Sequence, residues 1–143
     1  MNPAVAKWLS KSREELDRIY RDCPAAGPMP TGEMRGTAIV AGSPFARLYA
    51  RFARLFAWQG KIFDMFAENG RAGVLVNMIG PPGLSFVVAK VYYGPSWMDE
   101  RETIIIDYSK TSFLFRAVRD EIREVEPCVY LGKVWLGRRR ILD

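Results

Sequence analysis

The carboxylate of Asp107 and the phenol of Tyr108 are the neighbouring side chains in this sequence best suited to acid–base chemistry. They follow the apolar run 104–106, and a carboxylate buried beside such a run must be paired or have a shifted pKa. One carboxylate and one tyrosine are sufficient for proton transfer next to a carbonyl group, without a cofactor. In the alternative, structural interpretation, Asp107 caps the turn that follows it, with help from Ser109.

Other side chains are candidates for binding a ligand. Lys90 and Tyr92 share one face of a predicted strand by strict alternation. On an inward face, their ammonium and phenol would bind a carboxylate or carbonyl over an apolar pocket; on an outward face, both are ordinary surface residues. The sequence does not settle which face is inward. The candidate ligand-binding residues together are Trp58, Lys61, Phe63, Lys90, Tyr92, Arg123 and Tyr130.

The run Asp120, Glu121, Arg123, Glu124 alternates in the sign of its charge. Most such runs are solvated faces that contribute little to stability, and we expect the same here. In the sharper interpretation, Arg123 turns inward and anchors an acidic ligand.

Several standard sites are missing from the sequence. It has no histidine, which removes the commonest proton shuttle and the commonest metal ligand. It has no glycine-rich phosphate loop, no cysteines at metal-ligand spacing and no nucleophile–histidine pair. We therefore expect no metal and no cofactor. Two free thiols, Cys23 and Cys128, in a reducing cytosol are the simpler interpretation of the cysteines, although a single bridge stays open.

The formal charge of +5 raises the question of a nucleic-acid partner. The basic residues are spread along the chain, often beside acids, and the one pure run, 138–140, follows a glycine in a predicted turn; this pattern argues against nucleic acid. Charged residues interrupt every apolar run before it reaches a membrane-spanning length. We expect a soluble, cytoplasmic protein without a membrane partner, and a homodimer stays open.

The elements that position these residues begin with an N-terminal helix. Ser12 and Glu15 form a capping box, which predicts a helix to about residue 22. A linker rich in proline and glycine follows at 24–32, and a first strand is predicted at 35–41. Ser43 then caps a second, amphipathic helix of about fourteen residues.

The rest of the sequence is a series of short apolar segments separated by glycine and proline turns. Segment 113–125 is ambiguous between helix and strand. The count gives seven or eight strands, the number at which a barrel interior holds side chains or one small ligand. We expect an N-terminal helix and linker at 1–31 and an antiparallel β-barrel domain at 32–143. The predicted strands lie at 61–67, 73–79, 84–93 and 102–108, and a hairpin is predicted at 128–135 and 138–142.

Three stretches resemble a bacterial family of lipocalin-like proteins that is named for its GXWXG motif. They are 58–64, then 91–94 leading through the apolar strand to 106–108, and 120–125 followed by 131–132. The name-giving motif would fall at 32–36, where Met34 stands in place of the tryptophan. The resemblance implies a lipocalin-like barrel that binds an apolar ligand. It also implies that Trp58 plugs one end, with Arg123 stacked across its ring.

The sequence thus leads to one main functional hypothesis. We expect the barrel to bind a fatty-acid-like, terpenoid, polyketide or aromatic molecule, with one or two polar anchors. The alternative is a cofactor-free isomerase, cyclase or lyase in which Asp107 is the base and Tyr108 the acid. The sequence leaves open whether chemistry follows binding.

Overall fold

The computed structural model describes residues 3–35, 39, 61–65, 71–78, 86–113 and 115–143. Each strand in it pairs antiparallel with the next strand along the chain, in one sheet. The mainly β, antiparallel architecture expected from the sequence is confirmed. The helices are α1 (Pro3–Leu9) and α2 (Arg13–Asp22), and the eight strands are β1 (Gly32–Met34), β2 (Lys61–Met65), β3 (Ala72–Met78), β4 (Phe86–Pro95), β5 (Glu102–Asp107), β6 (Val118–Glu126), β7 (Val129–Leu136) and β8 (Arg139–Leu142).

Helix α2 begins at the predicted capping box. The Ser12 hydroxyl accepts a hydrogen bond from the Glu15 N–H, and the Glu15 carboxylate accepts one from the Ser12 N–H. The two bonds satisfy N–H groups that have no partner within the helix. Leu16 and Tyr20 are fully buried on its apolar stripe and pack in one cluster with Leu131 of β7. The predicted N-terminal helix is confirmed, and the shorter α1 precedes it.

The later strands follow the predicted pattern closely. Strands β2 to β5 correspond to the four predicted strands, with ends that differ by a few residues. The predicted C-terminal hairpin is confirmed as β7 and β8, and Gly137 adopts a φ of +61° in the turn between them. That φ lies in the left-handed region, which glycine adopts at no steric cost.

The ambiguous segment 113–125 contributes a strand, β6, which pairs with β5 on one side and β7 on the other. Ladder bonds on both sides outweigh the helical spacing of its apolar residues. The predicted helix at 44–57 lies outside the described residues. So does most of the predicted strand at 35–41, of which Arg35 and Ile39 are described.

The two faces of the sheet differ in their chemistry. Side chains alternate between the faces along each strand, so the register assigns each one to a face. The polar face is covered by α2 and by the β4–β5 connection, residues 96–101, and its buried members include Thr103, Glu121, Arg123 and Lys133. The opposite, apolar face buries Leu75, Ala89, Val91, Ile104, Ile106 and Val118.

Residues 24–30, which we call the strap, lie against the apolar face. Three consecutive carbonyls of the strap, 26–28, accept hydrogen bonds from the Glu124 N–H and from the hydroxyls of Tyr93 and Tyr130, at 2.7–2.9 Å. The Glu124 N–H is free for this bond because the pairing of β5 with β6 extends only as far as Ile122. The strap therefore continues the hydrogen bonding of β6 beyond the end of β5.

Residues that follow the first and last strands also meet. Ile39, five residues after the end of β1, exchanges two backbone hydrogen bonds with Asp143, which follows β8. The N–H to carbonyl distances are 2.8 and 3.3 Å. A reciprocal pair of this kind is typical of antiparallel strands.

Both cysteines are free, Cys23 buried and Cys128 exposed, which is the simpler of the two interpretations that the sequence left open. Of the helices that the structure describes, neither has the length and apolar character that crossing a membrane requires.

Candidate functional site

Arg123 is fully buried on the polar face, and the protein satisfies its whole guanidinium. Two of its N–H groups donate to the two carboxylate oxygens of Asp99, at 2.7 and 2.8 Å. The other three donate to the carbonyl oxygens of Tyr20, Arg101 and Glu102, at 3.0–3.2 Å. Because a guanidinium has five N–H donors, none remains for a ligand.

Arg123 therefore joins β6 to α2 and to the β4–β5 connection, which is a structural role rather than the ligand anchor suggested by the sequence. Its guanidinium lies 4.2 Å from the ring centroid of Tyr20, so the observed aromatic partner is Tyr20. Trp58, the expected partner, lies outside the described residues. The hydrogen bonds from Arg123 lower the pKa of Asp99, which keeps that carboxylate charged and paired.

Glu121 is the second buried charge of the polar face. Its carboxylate accepts hydrogen bonds from the Ser96 hydroxyl at 2.6 Å, the Trp97 N–H at 2.8 Å and the Arg119 guanidinium at 3.0 and 3.1 Å. The Tyr20 hydroxyl is a further donor at 3.3 Å. Burial raises the pKa of Tyr20 to about 12, so its hydroxyl stays protonated at neutral pH. These bonds fix the β4–β5 connection against the sheet.

Lys133 is the third fully buried charge of the polar face. Its ammonium donates to the carboxylates of Asp17 on α2 and Asp143 after β8, at 3.0 and 2.9 Å. Arg140 also pairs with Asp17. Burial alone would raise the pKa of Asp17, but the hydrogen bonds from Arg140 and Lys133 outweigh it and leave the pKa below its ordinary value. Every charge buried here has a partner of opposite sign, as burial requires.

The expectation that the alternating charges of β6 form a solvated face is wrong. Asp120, Glu121 and Arg123 are all buried. A signal for this was present in the sequence, because residues 119, 121 and 123 recur at the two-residue period of a strand and so share a face. Lys133 lies directly opposite Glu121 on the neighbouring strand β7. The expectation considered only the neighbouring charges in the sequence, whereas the observed partners come from distant parts of the chain.

Asp107 and Tyr92 form a carboxylate–phenol pair across β4 and β5. The Tyr92 hydroxyl donates to one Asp107 oxygen at 2.9 Å, and the Ser109 N–H donates to the other at 2.8 Å. Burial opposes ionisation of Asp107, but its hydrogen bonds with Ser109 and Tyr92 and the charge of Arg119 outweigh burial and lower its pKa. Burial, and then the adjacent carboxylate, raise the pKa of Tyr92.

Asp107 and Tyr108 do not come together as the predicted acid–base pair. Successive residues of an extended chain point to opposite sides, and Tyr108 is buried in the apolar cluster while Asp107 lies half-buried beside Tyr92. The bond from Ser109 is the turn-capping contact of the structural interpretation. A carboxylate with a lowered pKa is also a weak base at neutral pH.

The remaining candidate residues are dispersed over the fold. Lys90 is exposed. Tyr130 is half-buried, and its hydroxyl donates to the strap at 2.7 Å. Lys61 and Phe63 lie in β2, opposite Asn77 and Leu75 of β3, and their side chains are outside the described part of the structure.

The apolar face includes positions of two kinds. Leu75, Ala89, Ile104 and several others have at most about one hundredth of their surface exposed, so no void that admits a water molecule touches them. The side chains that keep accessible surface on the same core are Met34, Tyr93, Phe115, Ile122, Tyr130 and Val134. These half-buried residues mark the part of the apolar face that a ligand could contact. Asp120 is a buried carboxylate on this face, opposite Val134 in register.

No family model, curated protein or solved structure matches the chain. The resemblance to the GXWXG proteins therefore stays a prediction, and the functional argument depends on the geometry. Within the described ranges, no group of three or more cysteine or acidic side chains is placed to hold a metal ion.

Proposed function

We propose that the strands close into a lipocalin-like barrel that binds one small, mainly apolar molecule on its apolar face. The observation that carries this proposal is the pair of backbone hydrogen bonds between Ile39 and Asp143. Closure of the meander through the segments that follow β1 and β8 would remove its free edges and create an interior. With eight strands, that interior holds side chains or a single small ligand.

The apolar face is the better candidate for the interior. Ala89 and Val91 of β4 are buried, whereas Lys90 between them, which points to the other side, is exposed. Helix α2 packs on the polar face, and a helix is too wide for the inside of an eight-stranded barrel. Both observations favour a barrel with the apolar face inside and α2 outside.

The half-buried residues indicate where the ligand would lie. Ile122 of β6 and Val134 of β7 keep accessible surface on the apolar face, and Gly132 between them contributes no side chain. Covering this surface with an apolar molecule would contribute about 25 cal/mol of favourable binding free energy for each Å² of apolar surface removed from water. Leu75 and Ile106, which are already sealed, would be part of the wall behind it.

A fluorescent and uncharged fatty-acid analogue, the methyl ester of dansylaminoundecanoic acid, tests the proposal by titration into the purified protein. Val134→Phe places extra volume on the half-buried part of the apolar face, and we expect binding about tenfold weaker. The matched control is Val125→Phe, which adds the same volume in the cluster beneath α2. The control should bind within about twofold of the unchanged protein.

The proposal is wrong if the unchanged protein gives no saturable signal at micromolar to millimolar probe. It is also wrong if Val125→Phe and Val134→Phe weaken binding equally. Circular dichroism and thermal unfolding of both variants separate loss of binding from loss of the fold.

A further inference from the structure

A cleft of about 340 Å³ opens at the end of the sheet where β5 ends, β6 begins and β7 turns into β8. Its charged lining residues are Asp107, Arg116, Arg119 and Arg138, and Trp97 contributes an aromatic wall. Three guanidiniums and one carboxylate give this lining a net charge of +2 by formal count. The volume lies in the range of pockets that hold small organic molecules.

The three arginines of the cleft differ in whether their guanidiniums already donate hydrogen bonds. Arg119 is half-buried and already bonded to Glu121 and to the carbonyl oxygen of Pro95. Arg116 and Arg138 are exposed. Among the residues that the structure describes, their recorded partners are aromatic rings: Phe113 for Arg116 at 4.9 Å and Trp97 for Arg138 at 4.5 Å.

We propose that this cleft binds the acid group of a small organic anion, a carboxylate or a phosphate, through the guanidiniums of Arg116 and Arg138. A guanidinium presents a planar fork of donors that matches both acid groups in two-point contacts. The ring contacts restrict each guanidinium plane before a ligand arrives, which lowers the entropy lost on binding. Guanidinium N–H groups that are free to donate and that line an open cavity can bind an anion.

The rest of the lining fits the same class of ligand. The Asp107 carboxylate accepts hydrogen bonds from the Tyr92 hydroxyl and the Ser109 N–H, and among the described residues no ion pair joins it to Arg116 or Arg138. Trp97 is held in place by the hydrogen bond that its backbone N–H donates to the Glu121 carboxylate. Its ring also makes an edge contact with Trp135, at 5.6 Å between ring centroids. The guanidiniums of Arg119 and Arg138 lie over this ring, 4.2 and 4.5 Å from its centroid, so Trp97 positions two of the arginines of the cleft.

This site is distinct from the proposed apolar site, and the two share Val118, which lines the cleft and belongs to the apolar cluster. Asp107 and Arg119 lie opposite each other in the register of β5 and β6, on the polar face, whereas Ile122 and Val134 lie on the apolar face. Val134→Phe should therefore weaken binding of the uncharged dansyl ester without changing binding at the anion site, whereas Arg116→Gln and Arg138→Gln should leave binding of the ester unchanged.

Calorimetric titration at constant ionic strength tests the proposal with two organic anions, phenyl phosphate and isophthalate, which carry the two acid groups. Arg116→Gln and Arg138→Gln remove the proposed contacts at exposed positions, where folding is least affected. Arg139→Gln is the matched control. Arg139 is exposed and lies outside the cleft lining, so its substitution removes the same charge without removing a proposed contact. We expect about tenfold weaker binding for each cleft variant and a change within about twofold for the control.

Saturable binding of either probe with this pattern supports the site and identifies which acid group it prefers. Equal weakening by Arg139→Gln overturns the proposal, since binding would then follow total charge. Absence of saturable binding by either probe at millimolar concentration also overturns it. As a second readout, Trp97→Phe should remove the fluorescence change that accompanies binding in the unchanged protein.

Discussion

Replacing Asp99 with asparagine tests whether the Arg123 ion pair holds the β4–β5 connection and α2 on the sheet. The substitution keeps the size of the side chain and one acceptor, but removes the charge that faces a fully buried guanidinium. Removing one partner of a buried pair costs about 3–5 kcal/mol. The Asp99 side chain keeps 14% of its surface in water, and three carbonyls still accept from Arg123. We therefore expect a loss of about 2–3 kcal/mol in the free energy of unfolding.

The same pair predicts a dependence of stability on pH. Arg123 lowers the pKa of Asp99 in the folded state below its value of about 4 in the unfolded chain. The stabilisation is then complete above the unfolded pKa and is lost as the pH falls through the folded pKa. Asp99→Asn has no such group, so its stability should fall less steeply in acid than that of the unchanged protein.

Urea unfolding followed by circular dichroism, in a series from about pH 7 to about pH 3, measures both effects. Glu100→Gln is the matched control, because Glu100 is the exposed neighbour in the same connection. It should change the free energy of unfolding by less than about 0.5 kcal/mol. The reasoning fails if Asp99→Asn is as stable as this control near neutral pH. It also fails if the acid dependence of Asp99→Asn parallels that of the unchanged protein.

Three further substitutions have defined outcomes. Gly27→Ala should lower the free energy of unfolding in urea by at least about 2 kcal/mol, because φ at Gly27 is +86° and an added Cβ would lie 2.5 Å from that of Glu124. An unchanged free energy of unfolding would refute the observed path of the strap. Ser12→Ala should cost about 1 kcal/mol in the same assay, and no loss would refute the cap. Tyr92→Phe removes one hydrogen bond and should raise the pKa of Asp107, measured by carboxyl NMR; an unchanged pKa would refute their contact.

Local patterns in the sequence were sufficient to predict most of the strands and helix α2. The capping box at Ser12 involves residues three apart, and glycine turns such as Gly137 mark strand ends by their own backbone preference. Strand β6 was ambiguous for a physical reason. Its apolar residues have helical spacing, and what decides its conformation is pairing with β5 and β7, which no local pattern contains.

The candidate site was less predictable, because its contacts join distant parts of the chain. Asp99 and Arg123 are 24 residues apart in sequence, and Asp17 and Lys133 are 116 apart. A single sequence shows the charges but not their partners, so burial could not be distinguished from exposure. The adjacency of Asp107 and Tyr108 did contain the necessary information, since strand alternation separates neighbours onto opposite faces.

The N-terminal segment belongs physically to the sheet, because it packs on both faces at one end of β6. On the polar face, the carbonyl of Tyr20 accepts from Arg123; on the apolar side, the carbonyl of Ala26 accepts from the N–H of Glu124, the next residue along β6. The chain from 20 to 26 therefore passes around this end of β6 and is bonded on both sides of it. The proposed anion cleft lies at the opposite end of β6, where the strand begins. The bonds from Arg123 to Tyr20 and from Glu124 to Ala26 thus hold the end of α2 and the strap to successive residues of one strand, so a change at either residue should loosen both segments.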